Sequence, residues 1–214
     1  MNSSQDNDYA DAGFNGKLEP GVRPVLLIID PVVAYVDPDC PLYAGVEDVA
    51  AEIVQLRHEA EKFGIPVVVT KVLHDESGRT GGIYARKVPS LQWLRASSRF
   101  SAYIDGLGAE NGAVEVVKSY ASAFAGTSLA ATLTAMACDT VVVTGFSTSG
   151  CVRASATDAM QLGFIPFIAR QGVGDRLAEV HEANLFDMQA KVGEVVDSAV
   201  IIALFEGTKQ WRSR

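Results

Sequence analysis

Cys151 is the residue whose type and position most directly suggest chemistry. It follows β-branched residues at 140–144 and a loop at 145–150 rich in Gly, Ser and Thr, and it begins a helix-like pattern. Backbone N–H groups at a helix N-terminus stabilise a thiolate, so we predict that the pKa of Cys151 is lowered with the help of a nearby cation. Because most lone cysteines are buried and unreactive, this interpretation depends on the neighbouring side chains.

Asp30 and Lys118 are the ionisable residues that we predict to lie beside Cys151. Each ends a segment of strand-forming residues, and the carboxyl ends of parallel strands meet at the sheet edge where ligands bind. A lysine lowers the pKa of a thiol, and a carboxylate accepts the thiol proton and returns it to a leaving amine. Taken singly, Asp30 is compatible with a turn cap and Lys118 with a solvated side chain. Together, the three residues supply the parts of an activated cysteine nucleophile.

The order of strand-like and helix-like segments predicts the fold that positions these residues. The predicted helices are residues 46–63, 128–137, 151–162 and 177–190. The predicted strands are residues 25–30, 66–72, 114–118, 140–144, 164–169 and 199–204. This alternation indicates an α/β fold with a doubly wound, Rossmann-like, mostly parallel six-stranded sheet and helices on both faces.

One domain accounts for nearly all of the chain. We predict a polar N-terminal arm over 1–20, a single domain over 21–206 and a short C-terminal tail over 207–214. With 214 residues, of which 48% are hydrophobic, the chain is long enough for one substantial core. Residues 73–113 interrupt the alternation with Gly, Ser, Arg and aromatic residues, and such a long irregular segment usually serves function or an interface.

Composition excludes several classes of function. The formal net charge of -8 and the absence of a basic stripe argue against nucleic-acid binding, so we expect a small-molecule partner. The sequence has no apolar run of the roughly 18 residues that a membrane span requires. Its 3 cysteines have neither disulfide-framework nor zinc-site spacing. The N-terminus lacks the pattern of a signal peptide, and we therefore expect a cytoplasmic location.

Four groups of residues resemble the isochorismatase-like cysteine hydrolases, and the resemblance extends over residues 23–204. They are residues 24–30, residues 117–127, residues 144–153, and residues 174–176 together with 184–187. Within this family, the sequence is most similar to amidohydrolases of N-carbamoylsarcosine and maleamate. The isochorismatases proper carry another residue at the nucleophile position, so the cysteine favours C–N cleavage. The resemblance also implies a homo-oligomer, with a tetramer as the expected state.

The resemblance assigns roles to individual residues. It implies a catalytic triad of Asp30, Lys118 and Cys151. It also implies a cis peptide bond between Phe146 and Ser147, which directs the backbone N–H groups of Ser147 and Cys151 at one oxygen as an oxyanion hole.

The resemblance and the residue types also indicate how substrate is bound. Arg176 follows the fifth predicted strand, and by resemblance it anchors a substrate carboxylate through its planar guanidinium. An ion pair with Asp175 or Asp187 is the structural alternative for Arg176, and we expect Arg153 to be mainly structural. The aromatic residues expected to shape the pocket are Tyr35, Phe124, Phe146 and Trp93.

A metal and other cofactors are not expected. Nicotinamidases of this superfamily hold a metal through an Asp-x-His arrangement and a further histidine, and the scattered residues His58, His74 and His181 do not reproduce it. The predicted function is therefore a cysteine-dependent amidohydrolase. It would cleave a terminal amide or ureido C–N bond of a small carboxylic acid and release ammonia through a thioester.

Three alternative functions share some of these sequence features. The loop 145–150 has the spacing of a phosphate-binding P-loop, but Cys151 and Val152 occupy the positions of its Lys and Ser/Thr. A cysteine phosphatase requires an arginine six residues after the thiol, where this chain has Thr157. A catalytically silent oligomeric scaffold or small-ligand-binding protein on the same fold remains open from the sequence.

Overall fold

A computed structural model describes residues 8–9 and 11–208 of the chain. Its strands are β1 (Pro24–Ile29), β2 (Val67–Val72), β3 (Val114–Lys118), β4 (Thr140–Phe146), β5 (Ile165–Gly174) and β6 (Glu194–Val196). Within the described ranges, these strands form one six-stranded, all-parallel sheet in the order β3-β2-β1-β4-β5-β6. The strand order reverses between β1 and β4, which confirms the predicted doubly wound sheet.

The helices pack around this sheet. They are α1 (Glu47–Lys62), α2 (Gly82–Lys87), α3 (Leu129–Ala135), α4 (Arg153–Gln161), α5 (Ala178–Lys191) and α6 (Ser198–Gly207). Helices α1 and α6 contact each other, and both contact β5. Helix α4 contacts β5 and helix α5, and α5 contacts β6. The predicted α/β class with helices on both faces is therefore confirmed.

The two central strands form the middle of the core. Every residue of β1 and β4 is buried, as expected for strands covered on both faces. The edge strand β3 differs, because only Val116 and Lys118 are buried among its residues. Edge-strand alternation therefore directs the Lys118 side chain into the protein.

The prediction of a last strand over residues 199–204 is wrong. These residues belong to α6, and the sheet instead ends with β6, a three-residue strand that precedes this helix. The buried residues of α6 are Ser198, Ile201 and Phe205, which have helical spacing. A short run of consecutive apolar residues does not distinguish a buried strand from a buried helix, because both are apolar all round.

The segment 73–113 is built from short pieces, including α2 and several single turns of 3-10 helix. An isolated β-bridge between Val32 and Tyr103 connects the segment to the region that follows β1, and another, between His74 and Arg95, joins two parts of the segment itself. Parts of the predicted arm and tail, residues 1–7, 10 and 209–214, lie outside the described residues. No helix in the described ranges combines the length and apolar character needed to cross a bilayer.

Candidate active site

A buried ion pair lies at the carboxyl edge of the sheet. Asp30 directly follows β1, and Lys118 is the last residue of β3. The Lys118 Nζ atom donates to the Asp30 Oδ2 atom at 2.7 Å, and both side chains are 0% exposed. Thr70 of β2 lies between them in the sheet and donates its hydroxyl to Asp30 Oδ1 at 2.8 Å. Both carboxylate oxygens therefore have fixed donors.

The Lys118 ammonium group is fully hydrogen-bonded. Besides Asp30, it donates to the carbonyl oxygens of Tyr120 at 3.1 Å and Ala121 at 3.0 Å. Burial lowers the pKa of Lys118, but its interactions with the Asp30 carboxylate and the Cys151 sulfur outweigh burial, so the pKa is raised overall. Lys118 is therefore a cation, and three oxygen acceptors hold its ammonium group.

Cys151 lies at the strand-order reversal, in a π-helical turn at Thr148–Val152 that connects β4 to α4. Gly145 allows β4 to approach β1 closely, because its φ is 108° and an added Cβ would lie 2.0 Å from the Ile29 carbonyl oxygen. The peptide bond between Phe146 and Ser147, one residue further along the chain, is cis. The nucleophile loop and Asp30, the residue after β1, are thus brought together where the strand order reverses.

The protonation of Cys151 differs from the sequence-based expectation. Burial, and after it the charge of Asp30, raise the pKa of the thiol to about 12, because Lys118 only partly opposes them. The predicted lowering is therefore wrong for the resting site. The thiol is only 4% exposed, the neighbouring cation is already paired, and α4 begins two residues later, at Arg153. A protonated thiol needs a base when it reacts, and Asp30 interacts with it directly.

Hydrogen bonds from three directions hold the nucleophile loop. The Ser147 carbonyl accepts from the N–H groups of Gly150 at 3.0 Å and Val152 at 3.2 Å. The Ser149 N–H donates to Asp175 at 2.7 Å, and a hydrogen bond of 2.9 Å joins Thr148 to His181 of α5. Within residues 11–208, no oxygen accepts the backbone N–H of Ser147. That donor is available to a ligand beside Cys151.

A cavity of about 780 Å³ opens onto Cys151, a volume typical of small-molecule sites. Its walls come from the nucleophile loop, α4, the loop after β5, the segment 41–44 and the irregular segment 73–113. The lining includes Tyr35, Pro41, Leu42, Tyr84, Val88, Leu91, Ser122, Ser147, Cys151, Thr157, Asp158, Asp175 and Arg176. The irregular segment therefore forms part of the site, as its length suggested.

Three of the four aromatic residues expected in the pocket do not line it. Tyr35 does, but Phe146 is 0% exposed and packs behind it, with ring centroids 5.5 Å apart. Phe124 is buried against Phe164, and Trp93 packs on Phe100. These side chains pack in the core or on other aromatic rings, so they support the walls from behind.

The two arginines of the cavity wall differ in their partners. Arg153 is engaged by Asn184 at 2.6 Å and by Asp187 at 3.2 Å, as expected for a structural residue. The Arg176 side chain donates to the Pro41 carbonyl at 2.7 Å. It forms no ion pair with any residue in the described ranges, so the structural alternative of pairing with Asp175 or Asp187 does not hold. An exposed guanidinium without an anionic partner remains at the cavity.

Two residues near the nucleophile were not identified from the sequence. Thr70 is the third residue from the end of β2, and Tyr84 lies on α2 and lines the same cavity as Cys151. The strand containing Thr70 could be predicted, but its register relative to Asp30 could not. Among the described residues, no group of three or more His, Cys, Asp or Glu side chains is arranged to hold a metal ion.

Comparisons with known proteins agree with this geometry. A family model described as Isochorismatase domain matches residues 24–200. The chain is 43% identical over 178 residues to a maleamate amidohydrolase of Pseudomonas putida, covering 82% of this chain and 84% of that protein. It is 32% identical over 209 residues to an N-carbamoylsarcosine amidase of Arthrobacter sp, covering 95% and 79%.

Solved structures support the fold. A cysteine hydrolase from Pseudomonas syringae pv. phaseolicola superposes with a TM-score of 0.83 at 20% identity, covering 92% of this chain and 98% of that one. A pyrazinamidase/nicotinamidase from Streptococcus mutans gives a TM-score of 0.73 at 24% identity, covering 81% and 99%. At these identities the likeness concerns the fold alone.

Proposed function

This chain belongs to the isochorismatase family and is a hydrolase of C–N bonds, and on that premise we propose that it cleaves small acid amides with Cys151 as nucleophile. The observation that carries the proposal is the fully buried Asp30–Lys118 pair next to a thiol at the bottom of a cavity. A buried ion pair is costly to desolvate and is a weak source of stability. Its position beside a thiol is better explained by a role of the pair in the reaction of that thiol.

The first half of the reaction forms a thioester. Asp30 accepts the thiol proton as the sulfur of Cys151 attacks the amide carbonyl carbon, and the charge of Lys118 favours the thiolate. The backbone N–H groups of Ser147 and Cys151 hold the oxyanion of the tetrahedral intermediate. Asp30 then gives its proton to the leaving nitrogen, the C–N bond breaks and ammonia departs.

The second half of the reaction releases the acid. A water molecule gives a proton to Asp30 and attacks the thioester carbonyl, so that the C–S bond breaks. The proton returns to the sulfur of Cys151, which restores the resting thiol. The same carboxylate thus serves as base and acid in both halves, and its fixed hydrogen bonds to Thr70 and Lys118 keep it in position.

The substrate is proposed to carry a carboxylate as well as the amide. Arg176 lines the cavity without an anionic partner, and its planar fork suits a carboxylate. Maleamate and N-carbamoylsarcosine both combine a carboxylate with a terminal amide or ureido group. The identity of 43% to a maleamate amidohydrolase makes maleamate the first substrate to test.

The test is ammonia release from matched substrates. The purified protein should release ammonia from maleamate or N-carbamoylsarcosine faster than from neutral amides of similar size. The Cys151→Ala variant should release none while keeping its circular dichroism spectrum. Addition of hydroxylamine should trap the thioester as a hydroxamate in the wild type.

Two results would contradict the proposal. Ammonia release by Cys151→Ala at the wild-type rate would remove the thiol from the mechanism. Absence of turnover on every amide of the panel would favour the silent scaffold or ligand-binding alternative. A matched variant, Cys138→Ala, removes a cysteine that does not line the cavity and should leave the rate unchanged.

A further inference from the structure

We propose that His74 is a positioning residue, which orients the Lys118 ammonium group by holding the bend of the chain at residues 119–121. This inference rests on the proposed reaction of Cys151, in which the charge of Lys118 favours the thiolate. His74 does not line the cavity, so it acts on the reaction only through this bend.

The 119–121 bend supplies two of the three oxygen acceptors of Lys118. The Lys118 Nζ atom donates to the carbonyl oxygens of Tyr120 at 3.1 Å and Ala121 at 3.0 Å, and to the Asp30 carboxylate at 2.7 Å. Because the ammonium group is held by its acceptors, displacement of the bend would displace the cation from its place beside Asp30. Ala121 also lines the cavity, so the same bend forms part of the cavity wall.

His74 binds the remaining carbonyl of this bend. It lies two residues after β2, it is 3% exposed, and its Nε2 atom lies 3.0 Å from the Ser119 carbonyl oxygen. A carbonyl oxygen can only accept, so Nε2 carries the proton and donates it. Within the ranges that the structure describes, residues 119–121 make no hydrogen bond except those to His74 and Lys118. The His74 ring is therefore the hydrogen-bonded anchor that holds the bend independently of the cation.

The His74 ring is itself held in place by its surroundings. Its backbone N–H donates to the Leu94 carbonyl at 2.9 Å, and the N–H of the preceding residue, Leu73, donates to the Lys118 carbonyl at 3.0 Å. Gly81 packs closely against the ring, because a Cβ added there would lie 2.8 Å from His74 Cε1 and 3.0 Å from His74 Nδ1. An apolar side chain could fill the same space but could not bind the Ser119 carbonyl. The donor on the ring, rather than its volume, therefore carries the proposed role.

The test is rescue by side chains that keep or lose the donor. His74→Leu removes it, His74→Gln keeps an N–H at about the reach of Nε2, and His74→Asn carries the same amide on a shorter side chain. Iodoacetamide labelling between pH 7 and 9.5, followed by mass spectrometry of the Cys151 peptide, reports the thiolate without any substrate. We expect His74→Leu and His74→Asn to label about tenfold more slowly, which corresponds to about one unit of pKa, and His74→Gln to label within about twofold of the wild type. On maleamate, kcat should fall in the same order, with little change in KM.

Arg57→Met is the matched control for a loss of stability alone. Arg57 is also 3% exposed, and it donates to the carbonyl oxygens of Gly108 at 2.7 Å and Glu110 at 2.8 Å, which belong to the segment 73–113. It does not line the cavity. Arg57→Met should therefore lower the melting temperature and leave the labelling rate of Cys151 unchanged.

Three results would overturn the proposal. They are labelling of His74→Leu at the wild-type rate or faster, equal slowing of the Gln, Asn and Leu variants, and slowing of Arg57→Met as large as that of His74→Leu. If His74→Leu does not fold, the comparison of His74→Gln with His74→Asn decides, because both carry an amide and differ only in reach. Failure of the proposed function is seen separately, as ammonia release by Cys151→Ala.

Discussion

Replacing Lys118 with methionine tests the energetics of the buried ion pair. Methionine keeps an unbranched apolar side chain but removes the ammonium group, which leaves Asp30 as an unpaired buried carboxylate. The Lys118 Nζ and Asp30 Oδ2 atoms are 2.7 Å apart, with both side chains 0% exposed. Removing one partner of such a pair costs about 3–5 kcal/mol, which is a large part of the roughly 5–15 kcal/mol that stabilises a typical domain.

The loss should be visible as a lowered melting temperature. In a domain of this size, 1 kcal/mol corresponds to about 2–4 °C, so Lys118→Met should melt roughly 6–20 °C below the wild type. Thermal unfolding followed by circular dichroism measures it. A double variant, Asp30→Asn with Lys118→Met, leaves no unpaired charge and should recover about half of the lost stability. Both variants should be inactive.

An exposed ion pair of similar length provides the control. Lys62 and Glu59 are 2.8 Å apart, with side chains 52% and 23% exposed, and such pairs contribute about 0–1 kcal/mol. Lys62→Met should therefore change the melting temperature by only a few degrees. If Lys118→Met is destabilised no more than Lys62→Met, the reasoning from burial is refuted. If the double variant melts below Lys118→Met, the unpaired carboxylate is not the cause of the loss.

Three further predictions concern the substrate, the thiol and the strand packing. Arg176→Lys should lower kcat/KM roughly 10- to 150-fold for acidic amides and little for neutral ones; equal losses in an ammonia assay would make Arg176 structural. Because the pKa of Cys151 is raised to about 12, its iodoacetamide labelling should be slow at pH 7 and keep rising above pH 9; a plateau below pH 8 would contradict this. Gly145→Ala should cost more than about 1 kcal/mol in thermal unfolding, because its Cβ would collide with Ile29; Gly207→Ala, with open space, is the control.

The edge of the sheet that carries the candidate site could be predicted because it depends on strand order alone. Asp30 and Lys118 end apolar strands, and Cys151 follows another strand after a short loop. Parallel strands bring their carboxyl ends to one edge, so no side-chain detail was required. The family resemblance then identified these residues as a set.

The residues that line the cavity and the direction of the Cys151 pKa could not be predicted in the same way. Tyr84 lies in a segment without periodicity, so its place on the cavity wall depends on packing that the sequence does not encode locally. Phe124 and Phe146 have the right residue type but do not line the cavity. The direction of the thiol pKa depends on burial and on whether Lys118 is already paired, which are properties of the folded protein.

The proposed reacting groups and the walls of the cavity have separate structural origins. Asp30 and the loop carrying Cys151 follow adjacent strands, β1 and β4, whose separation is set by the sheet hydrogen bonds at about 4.8 Å. By contrast, Val88, Leu91 and Pro41 come from connecting segments outside the strands. Mutations in these segments can therefore accumulate and alter substrate range without displacing the reacting groups. The residues proposed to react and the residues that line the cavity walls thus belong to separate parts of the fold.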